Sequence, residues 1–400
     1  MPFTIGVVGA GQFADSFAPL FRRHPLIGEV WVTDLRPERA ARLVSLYGLA
    51  GTIASFEDMI ADPRIDAVAL FTQRWTHGEL AVRALRADKH VYSTVPMGIR
   101  VEEIGAIIDA VTASGRIYMM GETSFYNPAT VLARQRNADG QFGTLFYAEG
   151  DYVHDMDLGF YDAYRFSGGD QWKRTASYPP LLYPTHSIGG VLGAWDTHVT
   201  KAVGVGIHDG RGDGVFDRAV SMFDNDVSNA TALFEVAGGG SFRTNEFRRV
   251  GYPSHIRESR FRFFGTEASF EQVATAAFWY TRDGVQDVSA MVETTATLGV
   301  GDPQLAHISP DLRPAFVSGY APVHDRARIP AALATLPNGH EGSHHFLVDD
   351  FATAVISGIQ PPVNAWRAAR FTVPGIIAHK SVRRDGERLD VPDFGSAPES

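Results

Sequence analysis

The sequence predicts an α/β chain in two parts. An N-terminal doubly wound parallel sheet comes first, and a C-terminal α+β region with an open, mostly antiparallel sheet follows. Three observations carry this reading. Short β-rich segments and amphipathic helical segments alternate up to about residue 122, the pattern that right-handed crossovers build into a parallel sheet. Beyond "IYMMGETS" the alternation gives way to β-rich stretches at roughly 199–208, 215–224, 229–236, 240–249 and 259–264. The 400 residues also exceed one ordinary core, which favours two domains, 1–122 and 123–400.

The first segment, Phe3 to Val8, runs into a glycine turn and then an amphipathic helix ending near Arg23. Gly9, Gly11 and Ala14 occupy the G-x-G-x-x-G/A positions. Glycine at 9 permits the tight turn, and glycine at 11 lets a pyrophosphate approach the backbone. A small residue at 14 lets helix and strand pack closely. A second strand, "EVWVTD", ends at Asp34, where a carboxylate can accept bonds from adenosine ribose hydroxyls and repel a 2′-phosphate. This predicts a Rossmann dinucleotide-binding domain that prefers NAD to NADP. Arg36 reads either as a solvated charge at a helix start or as a partner for the 2′-phosphate of NADP. The alternation continues through helix "PERAARLVSLYG", strand "DAVALFT", helix "THGELAVRALRAD" and strand "HVYSTVP".

Composition narrows the function. Hydrophobic residues at 44% and charged residues at 20% describe an ordinary globular chain. A formal charge of −10 argues against broad binding to nucleic acid or anionic membrane. The absence of cysteine excludes disulfides, thiolate metal sites and cysteine nucleophiles, and it suits a reducing cytoplasm. The N-terminus lacks the pattern of a signal peptide and no long apolar run occurs, so a soluble cytoplasmic protein is expected.

The segment "SYPPLLYPTHSIGGVLGAW" (177–195) predicts a helix opening after a double-proline turn, with Tyr183 as its cap and Pro184 at the first helical position. His186 then lies in the first turn, where the helix field disfavours a protonated imidazole. His186 reads either as a satisfied core histidine or as a base, with Tyr183 on nearly the same helix face as donor or relay. Upstream, Tyr152, His154 and Asp155 end a strand, while Trp172, Lys173 and Arg174 lie on a glycine-rich approach to the helix. Aromatic faces suit the apolar side of a sugar and cations suit its hydroxyls, yet a solvated loop reads equally well for these residues. Asp155 and Asp157 read as surface groups. The stretch "HEGSH" (340–344) satisfies H-E-x-x-H, but it sits at a helix start with Gly342 inside it, so no metal site is expected. His344 or His345 reads instead as a residue lining the substrate pocket.

"DAVALFTQRWTHGELAVRALRADKHVYSTVPMG" resembles the sugar and cyclitol oxidoreductases of the Gfo/Idh/MocA family. Thr72 and His77 match the ends of that family's "T-P-x-x-x-H" loop, with Gln73 in place of proline. His90, Val91 and Pro96 match its "H-V-x-x-E-K-P" strand end. "GQFGTLFYAEGDY", "FRFFGTEASFE" and "HHFLVDDFATAVISGIQPPVNAW" look like pieces of its second domain. The resemblance implies cofactor contacts at Gly9, Gly11, Gln12, Phe13, Asp34, Arg36, Thr72, Arg74, His77, Thr94 and Pro96. Two departures follow. Thr94-Val95-Pro96 replaces Glu-Lys-Pro, so the lysine that manages the substrate hydroxyl proton is valine, and Lys173 could replace it in space. Leu182 stands where many members carry an aspartate. The "Y-P-T-H" of residues 183–186, with the "V-P" strand end, is similar to the NAD-dependent glycosidases of this superfamily.

Three functions are therefore expected to compete. One is an NAD-dependent oxidoreductase acting on a hydroxyl of a sugar, sugar derivative or cyclitol. Another is a glycosidase that uses bound NAD as an internal redox relay. The third is a non-catalytic dinucleotide-binding regulator. The expected partners are a small carbohydrate and, through the open sheet, further copies of the chain as a dimer or tetramer.

Overall fold

The computed structural model describes residues 1–251, 257–296, 299–302, 305–306, 310, 313 and 317–398. The chain forms two compact units: Met1–Thr123 with Asp325–Ala369 and Phe394–Ser400, and Ser124–His324 with Arg370–Asp393. The sequence reading placed everything beyond residue 122 in the second domain. In these contact-based units the segment Asp325–Ala369 packs with the first.

The first unit opens with β1 (Phe3–Val8), α1 (Ala14–Arg23), β2 (Ile27–Thr33), α2 (Pro37–Tyr47), β3 (Gly51–Thr52), α3 (Phe56–Ala61), β4 (Ala67–Leu70), α4 (His77–Arg86), β5 (His90–Ser93), α5 (Val101–Ser114) and β6 (Tyr118–Met120). Their six-stranded sheet has the order β3-β2-β1-β4-β5-β6, and every pairing in it is parallel. Because helices cover both faces, the central strands are apolar almost throughout: all four residues of β4 are buried.

The second unit begins with α6 (Pro128–Ala138), β7 (Leu145–Val153), α7 (Phe160–Gly168), α8 (Trp172–Ala176) and α9 (Thr185–Ala194). Strands β8 (Val199–His208), β9 (Val227–Val236), β10 (Ser241–Phe247), β11 (Ser259–Gly265), β12 (Ala268–Gln272), β13 (Ala277–Thr281) and β14 (Gly284–Asp287) follow, then the short α10 (Ser289–Val292). The chain returns to the first unit with α11 (His344–Ser357), passes back through α12 (Ala365–Val382) and closes with β15 (Leu389–Asp390). Among the described residues the second sheet has nine strands, ordered β14-β13-β12-β11-β7-β10-β9-β8-β15. Only β7 and β10 pair in parallel, so the sheet is mostly antiparallel.

The strand expected over 215–224 is absent, and turns occupy that stretch. Side-chain oxygens capture the amides a strand would need: Asp213 accepts from Val215, Asp217 from Ala219, and Ser221 from Phe223, at 2.9, 2.9 and 3.1 Å.

Helix α9 lies directly on the sheet because glycines remove the side chains between them. A Cβ on Gly150 of β7 would stand 2.6 Å from the Ser187 carbonyl oxygen, and one on Gly190 would stand 2.1 Å from the Phe261 ring. Gly150→Ala is expected to destabilise the second unit by about 1–3 kcal/mol, read as a lower urea midpoint; an unchanged midpoint contradicts this close seat.

Candidate functional site

The glycine turn after β1 has the geometry a dinucleotide needs. Gly9 has φ +94°, and a Cβ there would stand 2.7 Å from the Phe71 carbonyl oxygen, so only glycine fits. A Cβ on Gly11 would meet nothing within 4 Å, which leaves its backbone open to a phosphate. Helix α1 begins without a side-chain cap, so no side chain competes for its first-turn amides. Gln12 Oε1 is buried with no hydrogen-bond partner, an acceptor awaiting a donor.

Asp34 ends β2 beside this turn. Its Oδ2 accepts from the Ala10 amide at 2.7 Å and its Oδ1 from the Arg36 amide at 2.8 Å. Arg36 itself is exposed at the cap of α2. The loop after β4 is tied across its own turn. Thr76 donates to the Gln73 carbonyl at 2.7 Å, and the Thr72 and Thr76 hydroxyls lie 2.8 Å apart. Arg74 opens the single helical turn that follows. His77 bridges the Pro96 and Thr72 carbonyls at 2.9 and 3.1 Å, and burial holds its imidazole below the usual range. Thr94 donates to the Leu70 carbonyl at 3.0 Å. Gly9, Asp34, Thr72, His77, Thr94 and Pro96 thus gather at the C-terminal ends of β1, β2, β4 and β5, where doubly wound sheets bind nucleotides.

The return segment adds a feature the sequence did not reveal. His340 and His344 both meet the Phe13 ring edge-on, at 5.6 and 5.8 Å, and His340 Nδ1 lies 2.8 Å from His344 Nε2. His340, Glu341 and Gly342 have positive φ, so "HEGSH" is a tight turn with only its last histidine in α11, not the helix a zinc site requires. His344, expected to line a substrate pocket, packs within the first unit at 4.5 Å from the Phe17 ring, and burial drives it well below the usual histidine range.

In the second unit the polar aromatic residues converge. A single 3-10 turn, Pro180–Leu182, precedes Tyr183, and the first bond of α9 runs from the Ile188 amide to the Pro184 carbonyl. Pro184 is therefore the cap rather than the first helical residue, but His186 still lies in the first turn. Its Nε2 is 3.4 Å from the Tyr183 hydroxyl, and its ring faces Tyr152 of β7 at 4.7 Å. The Tyr152 hydroxyl reaches His154 Nδ1 at 3.0 Å, and His154 Nε2 lies 3.3 Å from Glu258. Tyr152, His154, Tyr183 and His186 form one imidazole–phenol cluster.

Trp172, Lys173 and Arg174 belong to a different group. Trp172 packs edge-on against Tyr161 at 5.5 Å, Lys173 donates to the Asp213 carbonyl at 2.6 Å, and Arg174 is exposed. Asp155, expected at the surface, is buried. Its carboxylate accepts from the Val250 and Gly251 amides, both at 2.8 Å, so it pins the chain after β10 to the end of β7. Sequence reasoning also missed Glu246 and Arg248, a buried pair on and just after β10.

Residues 3–122 match the Gfo/Idh/MocA family, described as an oxidoreductase family with an NAD-binding Rossmann fold. Over 410 aligned positions the chain is 23% identical to a glycosyl hydrolase family 109 protein of Saccharopolyspora erythraea, covering 98% of this chain and 83% of that one. A levoglucosan dehydrogenase of Pseudarthrobacter phenanthrenivorans is 25% identical over 161 residues, 38% of this chain and 41% of that one. Among solved structures, a levoglucosan dehydrogenase in complex with NADH and levoglucosan has the same fold, with TM-score 0.73 at 18% identity over 98% of this chain and 100% of that one. No described helix is long and apolar enough to cross a membrane. Residues 3–122 therefore match the NAD-binding Rossmann domain of the Gfo/Idh/MocA oxidoreductase family, and the two sheets give the chain the same fold as the levoglucosan dehydrogenase structure.

Proposed function

We propose that this enzyme oxidises a hydroxyl of a sugar, sugar derivative or cyclitol, with His186 taking the hydroxyl proton while hydride leaves the same carbon. The observation that carries the reading is the pairing of His186, on the first turn of α9, with Tyr183, just before the cap, and with Tyr152 against the imidazole. Gly9, Gly11, Gln12, Phe13, Asp34, Thr72, His77 and Thr94 would hold NAD, which would supply the hydride acceptor when bound. His186 Nε2 receives the proton, and the Tyr183 hydroxyl donates to the substrate oxygen or relays the proton onward. Val95 offers no proton-handling group at the strand end, which supports placing the base on α9. The Tyr152 and Tyr183 rings suit the apolar face of a pyranose or cyclitol.

A redox-neutral glycosidase is the second reading, favoured by the "Y-P-T-H" segment and by the glycosyl hydrolase family 109 relative aligned over 98% of the chain. Here bound NAD would supply a reversible hydride acceptor, so that one hydroxyl would be oxidised only transiently while the aglycone is eliminated. Incubation with levoglucosan, inositols and aryl glycosides separates the two. Net reduced nicotinamide from a free polyol supports the dehydrogenase, and aglycone release without it supports the glycosidase. Neither product from any of them contradicts both. A net dehydrogenase would draw on the cytoplasmic NAD pool. The exposed Val205, Ile207 and Leu233 on β8 and β9 support pairing with further copies as a dimer or tetramer.

Two variants test the assignments. His186→Asn is expected to lower turnover about 10²–10⁴-fold with NAD affinity unchanged; turnover within about twofold of the parent removes His186 as the base. Asp34→Ala is expected to weaken NAD about 10–100-fold in titration calorimetry while narrowing the preference over NADP. Unchanged NAD affinity would place the ribose elsewhere.

A further inference from the structure

Glu246 is fully buried on β10, and its two carboxylate oxygens lead to the His186 cluster by separate routes. Oε1 meets the hydroxyl of Ser187, the residue after His186 on α9. Oε2 accepts from Arg248 Nη2 at 3.2 Å. The Arg248 guanidinium lies over the Tyr152 ring at 4.6 Å and donates to the Tyr152 carbonyl at 3.3 Å. Tyr152 is the ring that faces His186.

The proton inventory limits how this network can be satisfied. The Ser187 hydroxyl carries one proton but has two acceptors in reach, Glu246 Oε1 and the Pro184 carbonyl at 3.0 Å. With Glu246 protonated, the acid donates to Ser187 Oγ, and Ser187 donates to the carbonyl that caps α9. With Glu246 ionised, Ser187 turns to the carboxylate, and the bond from Arg248 becomes charge-assisted.

We infer that Glu246 is a positioning residue for His186, seating the first turn of α9 through Ser187 and the Tyr152 ring through Arg248. Burial pushes its carboxyl up to about 8, with Asp151 adding to the rise and Arg248 and Ser187 opposing it. Asp151 on β7 carries Arg260 of β11 at 3.6 Å and accepts from Asn245 at 2.7 Å. His154 and Glu258 flank Tyr152, and α9 contributes His186 itself. The inference concerns the geometry around His186; only its consequence for turnover rests on the proposed function.

The test is carbon NMR of protein labelled at histidine Cε1, with the His186 resonance identified by its loss in His186→Asn. The His186 shift is expected to show an inflection near pH 8 that reports Glu246. That inflection should vanish in Glu246→Gln, move to higher pH in Arg248→Met and move to lower pH in Asp151→Asn. A wild-type curve without it, or a Glu246→Gln curve superimposable on the wild type, overturns the inference. The readout needs no substrate, so the carbohydrate reading and the positioning role fail or stand separately.

Discussion

The backbone contact between Gly150 and Ser187 is the constraint on which the candidate site depends. A helix carrying side chains at its underside stands well off a sheet; here glycine on each side lets α9 descend until a carbonyl touches a strand. The descent brings the first turn of α9 level with the end of β7, where Tyr152 and His154 emerge. It also brings Ser187 within reach of Glu246 on the neighbouring strand. A longer side chain at residue 150 or 190 would separate the imidazole from its aromatic partners without altering any of them.

Buried polar groups are handled differently in the two units. Around the glycine turn, buried histidines serve as struts, His77 between two carbonyls and His344 between two phenylalanines and His340. Beside α9, buried carboxyls are matched to partners instead, Glu246 to Arg248 and Ser187, and Asp155 to two amides. Breaking one partner of such a pair is costly because the other is left unsolvated. These pairs hold β7, β10 and the chain after them in register at the end of the sheet where the imidazole–phenol cluster stands.

The nucleotide-binding half was legible because its signals are local. The glycine spacing, the acid at the end of β2 and the alternation of elements lie within short windows, and each follows from backbone conformation or phosphate approach. In the second half legibility depended on range. Tyr183 and His186 were found because they lie one helical turn apart, whereas Glu246 reaches Ser187 across 59 residues of sequence. The strands β12 and β13 alternate, with Phe270, Ala277 and Trp279 buried between half-buried neighbours, and "RDG" marks the turn into β14. Residues 215–224 failed as a strand because aspartate and serine side chains took the amides, a competition invisible to hydrophobic pattern.

The central claim is that hydride leaves a carbohydrate carbon for the nicotinamide as His186 takes the proton. Single-turnover mixing of the NAD-loaded protein with levoglucosan or inositol carrying deuterium at its carbinol carbons tests it most directly. Mass spectrometry of the recovered cofactor is expected to show one deuterium on the nicotinamide ring, at a rate reduced by the heavier isotope and abolished in His186→Asn. Turnover of the sugar with no deuterium ever reaching the cofactor would contradict the account.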